Sequence, residues 1–92
     1  MEIKHDIANK KFSTQVLGGE AHALYRRGPL NSYDVFSVEV PVESRGKNIA
    51  DLLVREVLKA ARSENVHIIP TCPYVARWFD RHPEEQSLLL KK

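Results

Sequence analysis

The stretch Val38-Glu39-Val40-Pro41-Val42-Glu43-Ser44-Arg45-Gly46-Lys47-Asn48-Ile49-Ala50-Asp51-Leu52-Leu53-Val54-Arg55 changes period midway, from strand-like alternation to helical spacing, with a polar, basic turn between. Such a junction is an anion cradle. The first backbone N–H groups of a helix have no partner within it, and the helix dipole adds partial positive charge at the same place, so a pyrophosphate fits there. Arg45 and Lys47 bring formal charge to the turn, but the backbone of Gly46, Lys47, Asn48, Ile49 and Ala50 is expected to carry the binding.

Upstream, Lys11 to Leu17 alternates, with Phe12, Thr14 and Val16 on one side, and Gly18-Gly19 permits the positive backbone angles of a tight hairpin. Glu20 to Arg27 reads as the return strand, with Ala21, Ala23 and Tyr25 facing one way and His22, Leu24 and Arg26 the other. Gly28 to Ser32 is a loop, and Tyr33 to Val40 a third strand ended by Pro41. Beyond the turn, Ile49, Leu52, Leu53, Val57, Ala60 and Ala61 form the apolar stripe of a helix ending near Asn65. Val66 to Pro70 is a short fourth strand, reached through a βαβ connection and therefore parallel to the third. Pro73 opens a second helix with Cys72 as its cap; Val75, Trp78 and Phe79 form its apolar face, and His82-Pro83 stops it. The tail from Gln86 to Lys92 is too apolar to hang free and is expected to dock on the body or on a partner.

The 92 residues suffice for one domain, spanning 1–92, with a single core and a single site. Fourteen basic against twelve acidic residues leave a formal charge of +2, too weak and too dispersed for nonspecific nucleic-acid binding. The lone cysteine excludes an internal disulfide framework and a multi-thiolate zinc site, and the histidines show no metal-ligand spacing, so no metal is expected. No apolar run approaches the roughly 18 residues of a membrane span, and no signal-like segment opens the chain, so a soluble cytoplasmic protein is expected.

Three antiparallel strands, a phosphate-binding turn, a long helix, a parallel strand and a short helix resemble the core of the GNAT-type N-acetyltransferases, an α+β fold in its minimal form. The family's acyl-CoA signature is Gln or Arg, two residues, Gly, one residue, then Gly or Ala. Arg45-Gly46-Lys47-Asn48-Ile49-Ala50 matches it at Arg45 and Ala50, with Asn48 in place of the usual Gly. Asn is the best non-Gly occupant of the left-handed region, so the turn survives the exchange. With Val38-Glu39-Val40-Pro41 before the turn, Ile69-Pro70-Thr71-Cys72-Pro73-Tyr74-Val75 after the helix and Asp80-Arg81-His82-Pro83 near the end, the chain is similar to small stand-alone GNAT-like proteins from about Phe12 to Pro83.

The resemblance implies an acetyl-CoA-dependent N-acetyltransferase acting on an unidentified amine; the competing reading is an acyl-CoA-binding module with little catalytic activity. It also implies that pantetheine inserts where the third and fourth strands splay, pairing with the backbone of Val38 to Val40, with Cys72 near the acetyl sulfur. Larger members often use a tyrosine of the second helix to protonate the departing thiolate, and Phe79 stands in the corresponding place here. Tyr74 is the alternative acid. Cys72, at a helix N-terminus where thiolate forms more readily, either accepts the acetyl group covalently or lines the thioester channel or a core corner. Direct transfer instead needs a general base, for which His67 on the fourth strand and Glu39 at the end of the third are the candidates. Arg77 and Arg81, one turn apart, lie within reach of CoA phosphates or adenine, or form a solvated face.

Overall fold

A computed structural model describes residues 2–90. A five-stranded sheet runs β1 (Lys4–Asp6), β2 (Lys11–Val16), β3 (Gly19–Arg27), β4 (Tyr33–Glu39), β5 (Ile68–Ile69), in chain order across its width. The first four strands are antiparallel and β5 pairs with β4 in parallel. Helix α1 (Ile49–Glu64) makes the crossover and α2 (Pro73–Arg81) follows β5. This is the α+β architecture of a minimal GNAT fold, with one more antiparallel strand than the sequence pattern indicates. β1 is three residues long, and its inward residue is His5, which stacks on Phe12 at 4.0 Å and hydrogen-bonds the Tyr25 hydroxyl at 2.6 Å. A strand whose core-facing residue is an imidazole carries no hydrophobic alternation to read.

The β2–β3 hairpin turns at Gly18 and Gly19, whose φ angles of 94° and 133° are positive. The inward residues of β2 to β4, namely Phe12, Ala21, Ala23, Tyr25, Tyr33 and Val35, are buried against α1. The two alanines are fully covered, so α1 lies close on β3. The buried stripe of α1 is Ile49, Leu53, Val54, Val57, Leu58 and Ala61; Leu52 is 39% exposed and Ala60 half-buried, contrary to the stripe expected from spacing. The reason is that α1 is covered from two sides. The sheet takes one flank, and Val54, Val57 and Leu58 meet Val75 of α2 over Val35 and Ile68. Helix α1 ends at Asn65 in the left-handed conformation, its N–H bonded back to the carbonyls of Ala61 and Arg62. Helix α2 buries Val75, Trp78 and Phe79, as its spacing indicates.

The fourth strand expected over Val66 to Pro70 pairs only at Tyr33↔Ile68 and Asp34↔Ile69. Beyond that point Cys72 N–H donates to Val35 O at 2.8 Å, and the rest of β4 runs on past the end of β5. A β-bulge interrupts the β3–β4 register between Leu24 and Tyr25, leaving Phe36 as the extra residue on β4. Bulges bend the strand that carries them. β5 turns back after Ile69, its Thr71 N–H donating to Ile69 O at 3.0 Å, so among the described residues β4 has no strand partner on this side beyond Asp34 and the sheet is open there as a V. The tail docks on the body as far as Leu90, as its apolar content requires; Lys91 and Lys92 lie outside the described residues. A 3-10 segment (Pro83–Leu88) brings Leu88 and Leu89 onto the core, Leu89 bridges Ile68, and Leu90 N–H donates to Ile68 O at 2.9 Å, covering the outer edge of β5.

Candidate functional site

The V opens beside the junction that the sequence singles out. Pro41 has no N–H for the sheet and ends β4; a 3-10 turn (Val42–Ser44) follows. Ser44 is buried and its Oγ donates to Leu17 O at 2.7 Å, pinning the turn to the β2–β3 hairpin. Gly46 follows with φ 82°, and Asn48 with φ 61° and ψ 21°. Asn48 therefore occupies the left-handed conformation in which a glycine surrogate is expected. The first helical bond of α1 runs from Leu52 N–H to Asn48 O at 3.1 Å. Among the described residues no backbone carbonyl accepts from the amides of residues 46–51, so consecutive N–H groups are left at the positive end of the helix dipole. A Cβ built on Gly46 would meet nothing within 4 Å, so this face of the turn is open.

A cleft of about 380 Å³ lies over these amides, lined by Val38, Glu39 and Val40 of the β4 end, by Arg45, Gly46, Asn48, Ile49 and Ala50 of the turn, and by Ser44, Asp51 and Tyr74. The sequence reading is brought together here in large part. Glu39 is exposed at the rim; Lys47 is exposed on the turn outside the lining; Arg45 Nε donates to Val40 O at 3.2 Å, which engages one of the backbone carbonyls expected to face a ligand. A second groove of about 360 Å³ shares Asn48, Asp51 and Tyr74 with the cleft and continues to Arg77, Trp78, Arg81 and His82.

Two expected residues lie elsewhere. His67 is exposed, and its carbonyl accepts Tyr33 N–H at 2.9 Å, which puts it at the beginning of β4 whereas the cleft lies at the end. From Tyr33 to Val38 the strand advances about 17 Å, at roughly 3.3 Å per residue. Cys72 caps α2 but is only 6% exposed and belongs to the core cluster; it does not line the cleft. Its main chain is tied twice, by its N–H to Val35 O and by its carbonyl accepting Ala76 N–H at 3.0 Å.

Asp51 is the site residue that sequence reasoning passes over. Its Oδ1 accepts Trp78 Nε1–H at 2.7 Å and its Oδ2 accepts Arg55 Nε–H at 2.8 Å, so it ties the start of α1 to α2. Burial pushes this carboxyl up, but the hydrogen bonds from Trp78 and Arg55 together with the charge of Arg55 outweigh it and leave Asp51 below its ordinary value of 3.8. The sole sequence signal is an acidic residue in a first helical turn, which reads as a dipole partner. On α2, Trp78 is held further by His82, whose ring stacks on the indole at 3.8 Å while its Nδ1 donates to Trp78 O at 2.7 Å. Tyr74 stands one turn before Trp78, half-buried between cleft and groove. Burial raises its phenol above the ordinary 10.0, the Asp51 carboxylate raises it further, and Arg81 pulls the other way. It therefore keeps its proton throughout the neutral range. Phe79, by contrast, is buried in the core.

An opened sheet beside a strand–turn–helix amide cradle is the arrangement of an acyltransferase of the GNAT class. The chain belongs to the GCN5-related N-acetyl-transferase family, whose model matches residues 11–88. It is similar to Protein NATD1 of Danio rerio, 27% identical over 90 residues that cover 96% of this chain and 82% of that protein.

Proposed function

We propose that this chain, as one domain over residues 1–92, transfers an acetyl group from acetyl-CoA to the nitrogen of an amine. The observation that supports this most directly is the run of free amides at residues 46–51, all of them but Lys47 lining a cleft that also holds a protonated phenol, Tyr74. The residues suit the cofactor: Gly46 leaves open space where any side chain would stand, and its positive φ keeps that position glycine. The amides of Gly46, Lys47, Asn48, Ile49 and Ala50 would hold the pyrophosphate, with Arg45 and Lys47 adding charge, and the main chain of Val38 and Val40 would face the pantetheine. When bound, the cofactor supplies a thioester carbon open to attack by an amine.

The chain's own groups then divide the proton work. Tyr74 Oη holds the proton that a departing thiolate needs, and Glu39, a carboxylate at the same rim, takes the proton that an ammonium must lose before it attacks. The burial of Cys72 and its absence from the cleft lining favour direct transfer over a covalent route, and leave the thiol as packing. A reducing, cytoplasmic setting suits the single free thiol. No described helix is long and apolar enough to cross a membrane.

Two experiments test the reading. CoA at a hundred times its Kd should raise Tm by about 14 °C, since binding to the folded state then contributes about 2.7 kcal/mol to a domain of this size, and adenosine should shift it far less. No shift with millimolar CoA removes the proposal. Cys72→Ala should keep CoA affinity and most of the turnover, and rapid-quench mass spectrometry should find no acetyl group on wild-type Cys72 during the reaction. An acetylated Cys72 that forms and decays at the overall rate would establish the covalent route instead.

A further inference from the structure

The amide cradle runs without interruption into the groove between the start of α1 and the outer side of α2, because Asn48, Asp51 and Tyr74 line both. Helix α2 sets Arg77 and Arg81 along that groove, their Cα atoms about 6 Å apart along the axis, close enough for two long side chains to converge on one group. Both are exposed. Among the arginines of the described residues, Arg26, Arg27, Arg55 and Arg62 each have a carboxylate partner and Arg45 bonds Val40 O, whereas the side chains of Arg77 and Arg81 have no hydrogen-bond or ion-pair partner. The carboxylate of the groove, Asp51, has both oxygens engaged, one by Trp78 and the other by Arg55. The indole N–H of Trp78 is thereby committed and His82 lies against its ring. The groove therefore presents two unengaged guanidinium groups as its free cations, beside the Tyr74 hydroxyl and the Asn48 amide that it shares with the cleft.

We propose that Arg77 and Arg81 form a second anion subsite that takes the 3′-phosphate on the ribose of CoA, while the amides of residues 46–51 take the pyrophosphate. This rests on the acyl-CoA reading above and deepens it. A guanidinium meets a phosphate through paired, charge-assisted hydrogen bonds, and a dianionic phosphate can engage two such groups at once. The subsite makes the protein selective for the 3′-phosphorylated nucleotide: dephospho-CoA fills the cradle and the cleft but leaves the arginine groove empty. Pantetheine thioesters, which lack the pyrophosphate as well, leave both the cradle and the arginine groove empty.

Titration calorimetry of the full chain with CoA and with dephospho-CoA tests this without any assay of turnover. Wild-type protein at about 0.1 M salt should bind CoA about tenfold more tightly than dephospho-CoA, and the difference should shrink as salt is raised. In the double variant Arg77→Gln, Arg81→Gln, whose fold is checked by circular dichroism, the CoA affinity should fall to that of dephospho-CoA, with dephospho-CoA itself unchanged to within about twofold. Equal wild-type affinities for the two ligands would overturn the subsite while leaving the acyl-CoA reading intact. Discrimination that survives in the double variant would overturn the assignment to this arginine pair. Binding of neither ligand would sink the acyl-CoA reading itself, a different result from binding both equally.

Discussion

Tyr74→Phe should lower kcat roughly a hundredfold while leaving CoA affinity within about twofold, as expected when a general acid is removed and the ring that lines the site is kept. The wild-type rate supplies a second readout. Because burial and the Asp51 charge hold the phenol above 10.0, the acid stays protonated through the neutral range, and kcat should decline only at pH values above that figure. The decline should be missing in the Phe variant. A Tyr74→Phe enzyme that loses less than about threefold in kcat would move the acid role to another group or to water. Rate loss accompanied by an equal loss of CoA affinity would make Tyr74 a binding residue.

That Tyr74 takes this position when Phe79 cannot follows from the phase of α2. Val75, Trp78 and Phe79 share the buried face, so Phe79 points into the core, and the residue just inside Pro73 is left beside the opened sheet. Local signals of this kind were legible in the sequence: Gly18-Gly19 at the hairpin, Pro41 at the strand end, the switch of period through Gly46, the stop at Asn65 and the start at Pro73. Each depends on one or two residues and their own backbone preferences. Much of what the sequence hid depends on partners far along the chain. β1 exists because Phe12 and Tyr25 accept His5 as an aromatic neighbour. β5 is cut to two residues because its chain turns back at Pro70, where Thr71 N–H donates to Ile69 O at 3.0 Å. Leu52 and Val54 are both apolar; the buried residues of α1 share one helical face that contains Val54 and leaves out Leu52, and which face that is depends on what packs on it, with Val54 beside Val75 of α2. The Asp51–Trp78 hydrogen bond joins positions 27 residues apart, and neither residue announces it. Cys72 shows the reverse case, a residue conspicuous in sequence that folding draws into the core.

Gly46→Val should weaken CoA binding by roughly a hundredfold or more, from two causes that add. The first is conformational: at φ 82° a β-branched residue is strained by about 1–3 kcal/mol, so the turn relaxes and its consecutive amides lose their common direction. The second is steric, because a side chain would fill the open space facing Gly46 that the proposed phosphate contact needs. The strain alone predicts a lower Tm with modest loss of affinity; obstruction alone predicts lost affinity at unchanged Tm. Both should appear together, as a fall in Tm of several degrees and a CoA isotherm too weak to fit at micromolar protein. Asn48→Gly is the control at the neighbouring left-handed position. It supplies the conformation Asn48 already holds at φ 61°, without an added side chain, and should bind CoA as well as wild type or better. If Asn48→Gly abolishes binding instead, the Asn48 amide group contacts the ligand, and the cradle uses a side chain where backbone alone has been assigned.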